Sequence, residues 1–177
     1  LYVQSKSYDE LASIVTKKEK MLAAIPAIQP INSRRLRHIS GFGYRFHPIY
    51  KIKKMHTGMD FSAPVGTPIY ATGDGVVTAA GSERGYGKQV VINHGYGYRT
   101  KYAHMSKFKV KRGQRVKRGD VIGLVGNTGA STGPHVHYEV IKGGKIINPV
   151  NFFFNDLTPS EYTAMLEVAS RENQSFD

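Results

Sequence analysis

A chain of 177 residues can form one domain with a sizeable core plus short additions, and 25 Lys and Arg against 13 Asp and Glu give a net charge of +12 that calls for an anionic partner. Cysteine is absent, which excludes disulfides and thiolate metal sites and leaves histidine and carboxylates as the strong ligands. The longest apolar run, Met21 to Ile28, is broken by Pro26 and is too short to span a bilayer, while 19 glycines and eight prolines favour strands joined by tight turns.

Ser7-Tyr8-Asp9-Glu10 has the capping-box pattern and predicts a helix start. Leu11, Ile14, Val15, Met21, Leu22 and Ile25 then recur at helical spacing until Pro26. This single apolar stripe over residues 1–25 suits a helix lying on the main domain or the end of a longer coiled coil, and its place at the start of the chain favours the second. The sequence begins at Leu1 rather than Met, which leaves room for an export signal or membrane anchor upstream. Residues 26–38, with Pro26 and Pro30 and then Arg34, Arg35 and Arg37, form an extended connector. Ser40-Gly41-Phe42-Gly43-Tyr44-Arg45 is a turn entering a strand that Pro48 closes.

His56-Thr57-Gly58-Met59-Asp60-Phe61 follows. An i, i+4 pair would align on a helix, but Gly58 within and Pro64, Gly66 and Pro68 beyond favour a turn and a strand. Either geometry brings an imidazole and a carboxylate onto one cation, and a plain surface hydrogen bond between them is the bland alternative. Gly66 to Val77 and Gly113 to Ile122 are loose copies of one pattern, turn, strand, Gly-Asp turn, apolar strand, which suits a sandwich or barrel of duplicated hairpins. Between them, Lys88–His94 and Tyr98–His104 flank Gly95-Tyr96-Gly97 as an antiparallel hairpin.

In Gly133-Pro134-His135-Val136-His137-Tyr138-Glu139 a strand places His135, His137 and Glu139 on one face, with Val136, Tyr138 and Val140 on the other. Gly143-Gly144 marks a further hairpin turn, and Asn148-Pro149 ends the β region. Thr158-Pro159-Ser160-Glu161 repeats the capping box, with Tyr162, Met165, Leu166 and Ala169 as the buried face of a C-terminal helix. From about Arg171 the chain should fray.

The candidate ligands are therefore His56, Asp60 and one of the pair His135 and His137. Two imidazoles and a carboxylate suit Zn²⁺, and three protein ligands with an open fourth position are the pattern of a catalytic site, where water ionises near pH 7. No His-Glu-x-x-His motif supplies a glutamate base, so protons must be handled by other groups.

His56-x-x-x-Asp60, Tyr102-Ala103-His104 and His135-Val136-His137, in that order and beside Ser131-Thr132-Gly133-Pro134, resemble the LytM/lysostaphin-type zinc endopeptidases that cut peptide cross-links in bacterial peptidoglycan. The resemblance runs from about Ile39 to Asn151. It implies one Zn²⁺ held by His56, Asp60 and His137, with His104 and His135 as catalytic histidines off the metal. Histidine suits that work, since its ordinary pKa is about 6.5. The family's Phe-Gly-x-Arg motif matches Phe42 to Arg45, where a structural ion pair of Arg45 is expected before a contact with a substrate carboxylate. Glu139 is either an acceptor that orients an imidazole or an exposed carboxylate. Ser131 and Thr132 either touch substrate or stabilise their turn, and Tyr96 and Tyr98 are candidates to line the groove. His38, His47 and His94 read as structural or surface residues, and Asn32, the only asparagine before His56, is given no latency role.

The expected fold is an all-β core, a Gly-rich antiparallel sandwich or barrel-like sheet with duplicated hairpins, carrying short N- and C-terminal helices. Its divisions are 1–25 helix, 26–38 connector, 39–151 zinc endopeptidase domain and 152–177 C-terminal helix and tail. The expected function is zinc-dependent hydrolysis of peptidoglycan cross-links by a monomer of the cell envelope, periplasmic or extracellular, with anionic wall polymers as further partners. A catalytically silent wall-binding module that activates another hydrolase is the alternative, and the complete set of five residues argues against it. Lys107 to Arg118 holds seven Lys and Arg in twelve residues, but their alternation with Val and Phe describes a solvated strand face, so no nucleic-acid partner is expected. A lipoyl-type carrier lacks a lysine at a hairpin tip.

Overall fold

A computed structural model describes residues 2–32, 38–46, 51–154, 157–170 and 176, with the side chains of residues 2–7 left aside. Arg34, Arg35, Arg37, His47, Pro48 and the stretch from Arg171, Phe176 apart, lie outside the described residues. Helix α1 (Tyr2–Ala24) leads into strands β1 (His38–Ser40), β2 (Gly43–Phe46), β3 (Lys53–His56), β4 (Met59–Ser62), β5 (Pro68–Tyr70) and β6 (Gly75–Glu83). Strands β7 (Gly87–Gly95), β8 (Tyr98–Phe108), β9 (Arg115–Val116), β10 (Val121–Val125), β11 (His135–Lys142) and β12 (Lys145–Ile147) follow, then helix α2 (Pro159–Ser170).

Every strand pairing is antiparallel, and the main sheet runs β1-β4-β11-β8-β7-β6-β9, with β10 joining β5 and β8 and β12 added to β11. Among the described residues this path has two ends, so the sheet does not close into a barrel. Strands β2 and β3 form a separate ribbon. The two loose copies pair crosswise: β5 of the first lies on β10 of the second, and β6 on β9. Gly119 N–H donates to the Ala71 carbonyl at 2.8 Å and Ala71 N–H to the Asp120 carbonyl at 2.9 Å, which locks one Gly-Asp turn against the other.

The β7–β8 hairpin turns through Gly95, Tyr96 and Gly97, all at positive φ (76°, 50° and 82°), the handedness that matches a tight hairpin to the strand twist. Alternation along β11 puts Val136, Tyr138 and Val140 in the core, fully buried beside Met59, Phe61, Tyr102 and Ile92. Each such side chain contributes about 1.5–3 kcal/mol of burial. Phe61, Tyr138 and Phe153 pack at centroid separations of 5.8 to 6.4 Å, a rigid aromatic layer under the opposite face of β11.

The Tyr138 and Tyr102 hydroxyls meet Thr72 Oγ1, each at 2.9 Å, and burial pushes both phenols up, so they stay neutral. His94 extends the network. Its Nδ1 donates to the Asp74 carbonyl and its Nε2 meets Thr100 Oγ1, both at 2.8 Å, which makes it structural. Burial lowers its pKa, helped by Arg118 and opposed by the carbonyls of Asp74 and Gly73 and the Asp74 carboxylate. The unfolded chain therefore takes up this proton first as pH falls below about 6.5; the stabilisation is complete above that pH and is lost as pH falls toward the folded-state value. The difference in melting temperature between the wild type and His94→Gln is expected to shrink between about pH 7.5 and about pH 5.5, and a constant difference would contradict this.

The chain differs from expectation at both helices. Helix α1 begins at Tyr2, so the Ser7–Glu10 pattern lies inside it and starts nothing. Among its described side chains Leu11, Ile14, Val15 and Leu22 are each more than half exposed, and at the end of the helix Arg118 donates to the carbonyls of Leu22, Ala23 and Ile25. In α2 the capping box forms, with Thr158 N–H donating to Glu161 Oε2 at 2.8 Å, but Leu166 is exposed and the buried side chains are Met165 and Ala169. No helix among the described residues is long and apolar enough to cross a membrane.

Candidate metal centre

Strands β3, β4 and β11 assemble the centre. A bend at Gly58 links β3 to β4 and lets His56 at the end of β3 meet Asp60 in β4, and the register of β4 with β11 sets Asp60 opposite His137. Three atoms meet: His56 Nε2 is 2.9 Å from Asp60 Oδ1, His137 Nδ1 is 2.9 Å from the same oxygen, and the two ring nitrogens are 3.1 Å apart. Asp60 is fully buried and both imidazoles nearly so.

The far side of each ring decides what faces inward. His56 Nδ1 donates to the Gly41 carbonyl at 2.7 Å, and His137 Nε2 donates to Glu139 Oε1 at 3.1 Å. With those protons committed outward, two imidazole lone pairs and a carboxylate oxygen converge on one point, an arrangement that repels itself unless a cation sits there. Tetrahedral zinc with bonds of about 2.0–2.1 Å needs donors roughly 3.3 Å apart, close to the triangle present, so these residues fit the metal. When a proton rather than a metal ion is that cation, burial pushes the Asp60 carboxyl up, but the charges of His56 and His135 and hydrogen bonds then donated by His137 and His56 hold it well below the usual carboxylate range. It presents an anion to a cation at any ordinary pH.

Glu139 is buried, not exposed, and works on the outer side. Its Oε1 also accepts from Thr57 Oγ1 at 2.6 Å and Tyr86 Oη at 2.9 Å, while Lys101 Nζ lies 3.8 Å from Oε2 and 3.7 Å from the Tyr86 ring centroid. Burial raises its pKa, but His137, Thr57 and Lys101 together hold it at about 2. Gly58 belongs to the same construction: a Cβ there would lie 2.9 Å from His137 Nε2, so only glycine leaves the ring its place.

His104 and His135 stand beside this triangle, their ring centroids 4.6 Å apart and that of His104 6.1 Å from His137. Each has its Nδ1 anchored by a carbonyl, Thr128 for His104 at 2.7 Å and Gly133 for His135 at 2.8 Å. His135 Nε2 is buried, has no hydrogen-bond partner among the described residues and lies 3.9 Å from Asp60 Oδ1. His104 has φ 58°, a left-handed conformation that costs a non-glycine residue about 1–3 kcal/mol. Its N–H donates to the Tyr86 carbonyl at 2.9 Å, which helps hold it there.

Several neighbours fall elsewhere. Arg45 is buried and donates to the carbonyls of Gly41, Phe42 and Ala169, tying the turn before β2 to the last turn of α2. Tyr98 is buried against Phe152 and pairs with Lys142, at the far end of β11 from His137, so it does not line the centre; Tyr96 sits at the same hairpin tip. Ser131 Oγ bonds within its own turn, to Asn127 Oδ1 and the Gly133 carbonyl, and is 3.2 Å from His135 Nδ1. His38 is exposed on β1. Thr57, Tyr86, Thr128 and Phe176 had no signal in the sequence beyond being polar or aromatic. Phe176, in the stretch expected to fray, reaches Asp60 and Thr132.

The profile of Peptidase family M23 matches residues 54–149, more than half of the chain. The chain belongs to this family, that of the LytM-type peptidases. It is 49% identical over 124 residues to the DD-carboxypeptidase/endopeptidase Mpg of Neisseria meningitidis, covering 70% of this chain and 28% of that protein. It is 52% identical over 104 residues to the peptidoglycan DD-endopeptidase ShyA of Vibrio cholerae, covering 59% of this chain and 24% of that protein. Its structure resembles a zinc-containing peptidase from Vibrio cholerae with a TM-score of 0.63 and 40% identity, over 69% of this chain and 39% of that one. The chain thus spans about a quarter of the length of the curated relatives it matches.

Proposed function

We propose that this chain is the catalytic domain of a zinc-dependent endopeptidase that hydrolyses peptide cross-links of bacterial peptidoglycan. His56 Nε2, Asp60 Oδ1 and His137 Nδ1 hold the zinc, and His104 and His135 handle protons. The observation that carries this reading is the convergence of two imidazole nitrogens and a carboxylate oxygen at 2.9 to 3.1 Å beside two further anchored imidazoles. Bound zinc supplies Lewis acidity, which makes water a nucleophile near neutral pH and polarises a scissile carbonyl.

The chain's own residues do the rest. Glu139 and the Gly41 carbonyl fix the tautomers of His137 and His56, so that both present a lone pair inward. Because the Gly133 carbonyl takes the Nδ1 proton of His135, Nε2 is the atom that accepts a proton from the attacking water and returns it to the departing amine. His104, whose Nδ1 is likewise committed to the Thr128 carbonyl, faces the substrate oxygen and, as an imidazolium, donates from Nε2 to the negative charge that develops on it. Phe61, Tyr138 and Phe153 behind β11 keep these groups in register.

Two relatives named for DD-endopeptidase activity support a cross-link between D-configured centres as the bond cut, in preference to a polyglycine bridge. The same reading places the protein in the periplasm or outside the cell, with residues 1–25 as coiled coil, 26–38 as connector, 39–151 as the zinc endopeptidase domain and 152–177 as the C-terminal helix and tail. The exposed basic face from Lys107 to Lys117 suits the carboxylates and phosphates of wall polymers. Digestion of purified peptidoglycan of several chemotypes, read by mass spectrometry, tests the proposal. Cross-linked dimers are expected to resolve to monomers in directly cross-linked walls, with a chelator abolishing the reaction; intact dimers in every chemotype with the zinc-loaded protein would refute it.

A further inference from the structure

One peptide unit of the chain itself lies on the centre. Phe176 N–H donates to Asp60 Oδ2 at 3.0 Å, and the Phe176 carbonyl accepts from Thr132 N–H and from Thr132 Oγ1, each at 2.9 Å. The Phe176 ring packs on His135 at a centroid separation of 5.6 Å. Asp60 Oδ1 is the oxygen turned to the two imidazoles, so Oδ2 is left as an acceptor for a ligand's N–H. Thr132 is exposed and its hydroxyl reaches outward, whereas its neighbour Ser131 spends its hydroxyl within the turn.

We propose that Thr132 and Asp60 Oδ2 form a clamp for the main chain of the peptide to be cleaved, and that Phe176 occupies this clamp in the resting protein as an intramolecular competitor. Both polar groups of a single residue are satisfied there, one on each side, so what is recognised is peptide backbone rather than a particular side chain. The Phe176 ring against His135 places that backbone beside the group that must reach the scissile bond. A competitor on the same chain acts at high effective concentration, so two or three ordinary hydrogen bonds suffice to hold it. The proposal rests on the peptidase reading for the identity of the ligand, a cross-linked stem peptide, but not for the clamp.

Binding to the zinc-free protein, where no bond is cut, separates the two. A soluble cross-linked stem-peptide dimer is titrated into the full chain and followed by NMR, with contacts between the Phe176 and His135 rings as the marker of self-occupancy. Those contacts are expected in the free protein and should fade as the dimer binds. If the clamp is filled nine-tenths of the time, Phe176→Pro, which removes both the amide hydrogen and the ring, tightens dimer binding about tenfold. In that background Thr132→Val is expected to weaken it about fivefold, the usual effect of one lost hydrogen bond. With zinc and a cleavable substrate the same changes should appear in KM with kcat unaltered. Absent ring contacts in the free protein, or unchanged dimer affinity in Phe176→Pro, overturns the proposal even if cross-links are cut. Ring contacts displaced by the dimer, with no cleavage after zinc loading, would leave the clamp standing and remove the peptidase reading.

Discussion

Asp60→Asn is expected to lose zinc and with it all measurable hydrolysis. The substitution keeps the shape of a fully buried side chain but removes the only charge among the three converging atoms, and it can turn an amide hydrogen toward two imidazole nitrogens that need a cation. Removing even an outer hydrogen-bond partner of a metal ligand typically costs about 10- to 100-fold in affinity, so loss of the carboxylate itself should exceed about 100-fold. Thermal unfolding reports this without any substrate. At free zinc about 1,000 times the dissociation constant the wild type gains about 4.1 kcal/mol. For a chain of this size that corresponds to a rise of about 8–16 °C in melting temperature. Asp60→Asn should show almost none of that rise, and a shift equal to that of the wild type would remove Asp60 from the ligand set.

His135→Ala is the second large effect, and it should differ in kind. Its Nε2 faces the centre from 3.9 Å beyond Asp60 Oδ1, outside the 2.9 to 3.1 Å triangle, so zinc content should stay at one per chain while kcat falls about 10²- to 10⁴-fold, the usual range for a general acid or base. His104→Ala should fall in the same range by loss of its Nε2 donor. Zinc stoichiometry and kcat measured on the same preparation separate this from a ligand defect: a coincident loss of metal would make His135 a ligand, and a kcat within threefold of the wild type would make it a bystander.

Local periodicity explains what could be read from the chain beforehand. The alternation along β11 follows from the two-residue repeat of a strand, which is why His135 and His137 fall on one face and Val136 and Tyr138 in the core without any knowledge of neighbours. The Gly-Asp copies were legible as repeats, but their crosswise pairing was not, because periodicity says nothing about which strand lies beside which. Contacts that cross the fold escaped for the same reason: the hydroxyls of Thr57 and Tyr86 on Glu139, and Phe176 on Asp60, join residues separated by 82, 53 and 116 positions. The motif at Phe42 to Arg45 records that an arginine is present and not where its guanidinium points; its donation to the carbonyls of Gly41, Phe42 and Ala169 had no signal in the sequence. In α1 the capping pattern misled because helical residues precede it, so there was no end to cap.

Anomalous diffraction at the zinc absorption edge, from crystals of the zinc-loaded chain, is the most direct check on the centre. The account predicts one strong peak about 2.0–2.2 Å from each of His56 Nε2, Asp60 Oδ1 and His137 Nδ1, with His104 and His135 beyond bonding distance. A peak bonded to His135 or His104 instead, or no peak between β4 and β11, would contradict it.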